Sequence, residues 1–323
     1  MIKQTQARAF PILILMGSLL ALVPHVVPQY ILTLLISILI LSIYAGGVNL
    51  LYGYNGRISI GHATFWGAGA YSVAILTTRG LMQNFYLVML ISLIIVTAIS
   101  MIIGFLVNRV RGVYFMILTF TFGHIFYCLA AYILTPLTGG EDGVKGIVRP
   151  DVGLPWNLSD DRSFYYLVLS FFLISFTLLY RMVRSPFGHA LVGIRDNEGR
   201  METLGYNTHL YNYVCYILSA LFAGLAGSLF AYSELFVSTS ELYWFWSGEV
   251  LLMVLIGGIG TLWGPVMGAA FYTLLRYYVS RFTDHWLLVL GMALIFIVLF
   301  LPKGIMGFLT HISPEVKRGN TAA

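Results

Sequence analysis

Residues 86–107 read YLVMLISLIIVTAISMIIGFLV, without one Asp, Glu, Lys or Arg. At 1.5 Å of rise per residue a helix of this length measures about 33 Å, enough to cross the roughly 30 Å hydrocarbon core of a bilayer. In hydrocarbon every backbone N–H and C=O has to bond within the chain, so the run reads as a transmembrane α-helix. Outward from it, comparable apolar runs fall at about 10–27, 30–51, 59–78, 113–134, 163–182, 210–232, 247–260, 264–281 and 286–301. The expectation is an all-α integral membrane protein of about ten transmembrane segments, with 1–323 used up as a single transmembrane domain.

Composition supports the same class. Of 323 residues, 59% are hydrophobic and 10% are charged, against roughly 25% charged in soluble domains. Such a chain cannot cover a water-facing surface with charge. The net charge of +5 comes without a basic cluster or a nucleic-acid motif, so it reads as the Lys/Arg excess of cytoplasmic loops, with membrane lipid and no nucleic acid as partner. Cys128 and Cys215 each sit in an apolar run and read as packing residues. Lys3 and Arg8 precede an apolar stretch, Phe10–Val23, but Pro24-His25-Val26-Val27-Pro28 stands where a cleavage site would be. The stretch is taken as an uncleaved first span.

Charge also orients the spans. Lys3, Arg8, Arg57, Arg109, Arg111, Arg181, Arg184, Arg195, Arg200, Lys303, Lys317 and Arg318 fall on one side, the cytoplasm by the positive-inside rule. The 135–162 loop, with Glu141, Asp142, Asp151, Asp160 and Asp161, suits the periplasmic side. Ten crossings place both termini in the cytoplasm, in agreement with the charges.

Two Gly-rich interruptions break the helical pattern. One runs through Gly46-Gly47, Gly53, Gly56 and Gly61; the other through Gly257-Gly258-Ile259-Gly260, Gly264-Pro265 and Gly268. The runs that follow have similar lettering, which points to a possible inverted repeat with a path between its halves. Small residues that let membrane helices approach are the plainer account. Segment 247–260 is short enough to be either a span or a re-entrant element.

The 183–209 stretch between two spans reads as a short amphipathic helix or helix pair. Ala190, Ile194, Met201 and Leu204 supply apolar positions, Arg195, Asp196, Glu198, Arg200 and Glu202 a charged face, and Gly205 sits where a C-terminal cap belongs. Its mixed charge suits a protein partner better than a headgroup layer. This run resembles the cytoplasmic coupling loop of permeases in the branched-chain amino acid ABC transporter family, LivM type, with the pattern G-x-A-x-x-A-I-R-x-x-E-x-x-A-x-x-L-G. Gly188, Ala190, Ile194, Arg195, Glu198, Leu204 and Gly205 match; Gly193 and Glu202-Thr203 depart from the usual alanines.

Four further stretches resemble the same family. They are Asn49-Leu50-Leu51 continuing through Gly53, Gly56, Ser59, Gly61-His62-Ala63, Phe65, Gly67 and Gly69-Ala70-Tyr71; Arg111-Gly112-Val113-Tyr114-Phe115; Thr138-Gly139-Gly140 with Gly143; and Ser247-Gly248-Glu249-Val250-Leu251-Leu252-Met253 with Gly257-Gly258-Ile259-Gly260-Thr261-Leu262 and Gly264-Pro265. The resemblance implies a transmembrane permease subunit of an ABC importer for branched-chain amino acids in the bacterial inner membrane. It implies a heterodimer with a second, LivH-type permease, two cytoplasmic ATPase subunits and an external solute-binding protein. The seven matching residues of 183–209 would couple to the ATPase, alternating access would follow ATP binding, and ATP would sit on the partners with no cofactor on this chain. Urea, short amides and aromatic acids are alternative solutes within the family.

Asn49, Ser59, His62, Phe65, Glu249, Gly257 and Gly258 are the candidates for a translocation path. His62 and Asn49 have a second reading as ties for broken backbone. Glu249 is either a lining or hinge residue or a carboxylate at the outer surface. An ion-coupled secondary carrier remains a further alternative, with Glu249 as its acid. There is no phosphate-binding G-x-x-x-x-G-K-[ST] loop and no metal or catalytic cluster, so no enzyme is expected.

Overall fold

The computed structural model of the chain describes residues 20, 23–25, 27–82, 84–149, 160–283, 285–300 and 304–307. Most of the expected first span, 10–27, Lys3, Arg8, Lys303, Lys317 and Arg318 lie outside the described residues, as does 150–159 of the 135–162 loop. In chain order the helices are α1 (Gln29–Asn49), α2 (Ala63–Thr78), α3 (Phe85–Val107), α4 (Val113–Cys128), α5 (Asp161–Val183), α6 (Pro186–Asp196), α7 (Glu198–Thr203), α8 (Thr208–Glu234), α9 (Trp244–Gly257), α10 (Gly264–Val279) and α11 (Trp286–Phe300). A π-helical turn, Leu50–Tyr54, prolongs α1, and another, Leu129–Ile133, prolongs α4. Among the described residues, five helical stretches are long and apolar enough to cross a membrane: Gln29–Tyr54, Phe85–Val107, Val113–Ile133, Asp161–Val183 and Thr208–Glu234. The protein is a multi-pass α-helical membrane protein.

The other bundle helices are short for a reason visible in the backbone. A helix was expected over 59–78, but α2 begins only at Ala63. Residues 55–62 are non-helical, with Asn55, Arg57, Ser59 and His62 buried and Gly56 and Ile58 exposed. Irregular backbone at membrane depth survives only inside protein, where its polar groups find partners. Here Thr119 Oγ1 accepts from Ile60 N at 3.3 Å and Ser247 Oγ from Ala63 N at 2.7 Å. Gly61 is required for this route, since a Cβ there would lie 2.2 Å from the Thr119 carbonyl oxygen.

The expected 247–260 segment is α9, which starts earlier and ends at Gly257. Its 14 residues cover only about 21 Å. Gly258 turns the chain with φ at 119°, residues 258–263 are non-helical, and Gly264-Pro265 start α10, where proline's missing N–H costs nothing. Two interrupted helices therefore lie inside one bundle.

α8 runs through the centre of the bundle against α1, α2 and α3. Its contact with α2 is as close as backbones allow. A Cβ on Gly227 would stand 2.0 Å from the Trp66 carbonyl oxygen, and one on Gly69 2.2 Å from that of Gly224. Without a hydrophobic drive between helices in lipid, this small-residue fit supplies the packing attraction. At the far end of α8, β2 (Phe236–Val237) pairs antiparallel with β1 (Val144–Lys145), tying the link after α8 to the 135–149 loop.

This packing makes a prediction. Gly227→Ala overpacks a backbone contact, for which about 1–3 kcal/mol is typical, and is expected to lower the midpoint of thermal unfolding in detergent. Gly248→Ala, with nothing within 4 Å of the added carbon, should leave it unchanged. Size-exclusion profiles after a temperature ramp provide the measurement.

Candidate functional site

The two breaks meet, and one side chain joins them. Asn49, 2% exposed at the end of α1, accepts from Gly260 N through Oδ1 at 2.9 Å and donates through Nδ2 to the Thr261 carbonyl at 2.8 Å. Its amide thus replaces the partners that the interrupted α9–α10 backbone lost. Gly53 packs directly on Gly260: a Cβ on Gly53 would lie 2.5 Å from Gly260 N.

From the polar end of the bundle, Arg195 in α6 reaches the same place. Its Nη1 donates to the Gly53 carbonyl at 2.7 Å, one of the carbonyls loosened by the π turn. Gly56, with φ at 76°, leaves room for the Arg195 stem, which a Cβ would meet at 2.5 Å. Arg195, Gly53, Gly260 and Asn49 form one continuous chain of contacts from the α6–α7 pair to both interruptions.

A second network runs beside it. Glu198, at the start of α7, accepts from Arg57 at 3.2 Å, from Arg111 at 3.2 Å and from Asn212 at 2.9 Å. Asn108 accepts from Arg57 at 2.7 Å and donates to the His209 carbonyl at 2.7 Å. Arg111 also donates to Glu202 at 2.8 Å, and Thr208 to the same oxygen at 2.9 Å; these bonds hold the Glu202 carboxyl below the usual carboxylate range. Paired carboxylate and guanidinium groups with neutral donors around them form a network rather than isolated pairs. The network joins segments 55–62, 108–112 and 183–209 to one another.

The α6–α7 pair is built for that role. Ser185 caps α6 by accepting from Gly188 N at 3.4 Å, and Asn197 caps α7 by accepting from Arg200 N at 2.9 Å. Gly205, with φ at 88°, ends α7 with two reverse bonds, from its own N to Glu202 O at 3.0 Å and from Tyr206 N to Met201 O at 3.1 Å. Gly193 has a counterpart in Met201, whose sulfur a Cβ would meet at 2.7 Å; the small residue and the long one are matched. Of the seven expected coupling residues, Gly188, Ala190 and Ile194 are buried against the bundle, Arg195 and Glu198 reach back into it, and Leu204 and Gly205 are exposed.

All seven path candidates are buried. His62 bonds Ser59 through Nδ1 and Ser219 through Nε2, each at 2.8 Å, while Ser219 donates to the Gly47 carbonyl at 2.7 Å. Since the Ser219 proton is used, Nε2 donates to Ser219 Oγ, and the ring ties α1, α2 and α8 together. Ser59 and His62 therefore act on one another. Phe65 packs edge-on to His62 and Tyr216. Glu249 is 4% exposed, with Tyr272 and Arg276 of α10 as polar neighbours; it does not lie at a surface. Gly257 is pressed on the Gly264 carbonyl, where a Cβ would stand at 1.8 Å. Sequence reasoning missed Arg57, Asn108, Arg111, Asn212, Ser219 and Ser247 as partners. Arg111 and Ser247 stood in the family-like stretches, and the others were marked only by their polarity in or beside apolar runs. Among the described residues no group of three His, Cys, Asp or Glu is placed to hold a metal.

A multi-pass helical bundle with joined helix breaks and a helix pair wired to them fits a membrane transport permease. The chain belongs to the family described as branched-chain amino acid transport system / permease component, whose profile matches residues 30–299. It is 30% identical over 300 residues to the high-affinity branched-chain amino acid transport system permease protein LivM of Escherichia coli K12, covering 86% of this chain and 69% of that protein. The same-named protein of Salmonella typhimurium LT2 is 29% identical over 283 residues, 80% of this chain and 66% of its own. A probable LivM of Methanocaldococcus jannaschii is 23% identical over 193 residues, 54% and 56% of the two chains. The chain thus spans about two-thirds of the length of the first two relatives. No solved structure matches it.

Asn49→Ala strips Gly260 N of its partner, and an orphaned buried donor costs about 1–3 kcal/mol. The expected outcome is a lower unfolding midpoint in detergent for Asn49→Ala, and also for Asn49→Asp, which sets a carboxylate against the Thr261 carbonyl. Equal stability of Asn49→Asp and wild type would show that the donor half of the staple is idle.

Proposed function

We propose that this chain is a membrane-spanning subunit of an ABC importer that admits branched-chain amino acids, as the names of its relatives indicate for them. In this reading it lies in the bacterial inner membrane with ten crossings, both termini in the cytoplasm and the 135–162 loop outside. It pairs with a second permease, takes solute from an external binding protein and is driven by two cytoplasmic ATPase subunits, which hold the ATP. The stretches α1–break–α2 and α9–break–α10 are corresponding parts of two inverted halves.

The observation that carries this reading is the bond from Arg195 to the Gly53 carbonyl, 2.7 Å long. A helix pair needed only for the surface has no use for a guanidinium held on a helix break. A helix pair that must move the break does. The seven coupling residues then divide their work. Leu204 and Gly205, with the exposed His189, Asp196 and Arg200 around them, face the ATPase. Gly188, Ala190 and Ile194 seat α6 on the bundle, and Arg195 and Glu198 transmit its displacement to the Gly53–Gly260 contact. Shifting that contact exchanges the broken segments between their two arrangements, which is a rigid-body route to alternating access.

Two variants separate the two tasks. Leu204→Asp is expected to reduce co-purification of the ATPase subunits at least tenfold. Arg195→Ala should leave co-purification intact while cutting ATP-driven uptake of L-leucine into proteoliposomes at least tenfold and leaving ATP hydrolysis unresponsive to solute. Uptake by the purified chain without any ATPase would overturn the importer reading in favour of a secondary carrier.

A further inference from the structure

At the end of the bundle away from α6–α7 there is a cavity of about 370 Å³ between α1, α8, α9 and α10. That volume lies within the roughly 300–1,000 Å³ range of small-molecule sites. It lies apart from the joined helix breaks: along α1 its wall is at Leu34–Leu41, about 12–22 Å before Asn49. Tyr272 and Arg276 on its wall are also the polar neighbours of Glu249.

Its charges are unusual for such a place. Glu241, in the link between α8 and α9, lines it while being only 8% exposed. Trp66 Nε1 donates to Glu241 Oε2 at 3.1 Å, and Trp66 itself is clamped between Tyr44 and Trp246, with ring centroids 4.9 and 5.7 Å away. The carboxylate is therefore held in a fixed position. Glu234 of α8 and Arg276 of α10 also line the cavity. A buried carboxylate is retained at a cost of several kcal/mol, and a cavity lined by a few convergent polar groups is a default ligand site.

Taken together the wall offers three kinds of contact. Two carboxylates and the aromatic faces of Phe230 and Trp246 favour an ammonium group. The Arg276 guanidinium favours a carboxylate. Leu34, Ile40 and Leu41 of α1 favour a branched apolar group. We propose that this cavity is a binding site, within the single chain, for the zwitterion of an apolar α-amino acid. Glu241 takes its ammonium, Arg276 its carboxylate, and the α1 wall its side chain. The proposal rests on the reading that the chain admits amino acids. It adds that this subunit recognises the backbone of the solute itself, so selection does not lie only with an external binding protein.

The test uses the full chain alone, without ATPase, in nanodiscs made only of phosphatidylglycerol, with calorimetric titration of L-leucine. L-Leucine is expected to bind, and 4-methylpentanoate, which lacks the amine, at least tenfold more weakly. Glu241→Gln should weaken L-leucine and 3-methylbutylamine alike, at least tenfold. Arg276→Gln should weaken L-leucine but not the amine, a split that general damage to the fold does not produce. If Glu241→Gln does not yield folded protein, Ser37→Phe on the exposed side of the wall fills the cavity and should abolish binding. Unchanged L-leucine affinity in Glu241→Gln or in Ser37→Phe would overturn the proposal. So would displacement of L-leucine by adding phosphatidylethanolamine to the discs, which would assign the cavity to a lipid headgroup. Because no ATPase is present, failure here is separate from failure of the importer reading, which shows as ATP-independent uptake.

Discussion

In hydrocarbon, a helix cannot simply stop. Each interruption frees N–H and C=O groups that water cannot reach, and every one of them has to be met from within the protein. The structure depends on how this is done at two places at once. Asn49 meets Gly260 and Thr261, Ser247 meets Ala63, Thr119 meets Ile60, and His62 with Ser219 closes on the Gly47 carbonyl. Each of these bonds joins segments far apart in the chain. Satisfying the breaks is therefore the same act as assembling the bundle.

The same requirement explains why motion can be transmitted. A continuous helix would bend gradually under a push at its end, and the push would be dissipated along it. A break held by a few directed bonds has discrete arrangements, because packed interiors are bistable rather than freely deformable. Arg195 acts on one of those bonds directly, and the Arg57–Glu198–Arg111 network fastens the neighbouring segments to the same helix pair. Such ion pairs at a bundle end contribute little to stability one by one. Their value here is in register: they fix segments 55–62 and 108–112 against one helix pair.

The polar groups deeper in the bundle divide by their surroundings. His62 is fully enclosed, both nitrogens are used, and it is a structural tie. Glu241 is nearly as buried, yet it borders a cavity that also holds Glu234 and Arg276. Burial alone does not separate the two cases. What separates them is whether the neighbouring space is filled by protein or left open.

The sequence by itself determined the solvent and the class. The charge-free run 86–107 and its companions demand lipid and helices whatever the arrangement, because backbone satisfaction in hydrocarbon is a local property of each run. It also located the breaks, since Gly258 and Gly264-Pro265 interrupt helix formation wherever they stand, and it marked the 183–209 pair through its amphipathic pattern and the cap at Gly205. The start of α2 was misplaced by four residues, because Ser59-Ile60-Gly61-His62 hold no proline or Asp, Glu, Lys or Arg to mark a helix stop and only the Thr119 backbone, arriving from another helix, makes the extended route necessary. Tertiary structure alone decided which polar residue meets which. That Arg195 turns inward to Gly53, that Asn49 serves α9–α10, and that Glu241 and Arg276 face one cavity are matters of contact between residues up to two hundred positions apart. Hydrogen bonds and ion pairs act over a few ångströms of space, and no local pattern in the chain encodes that distance.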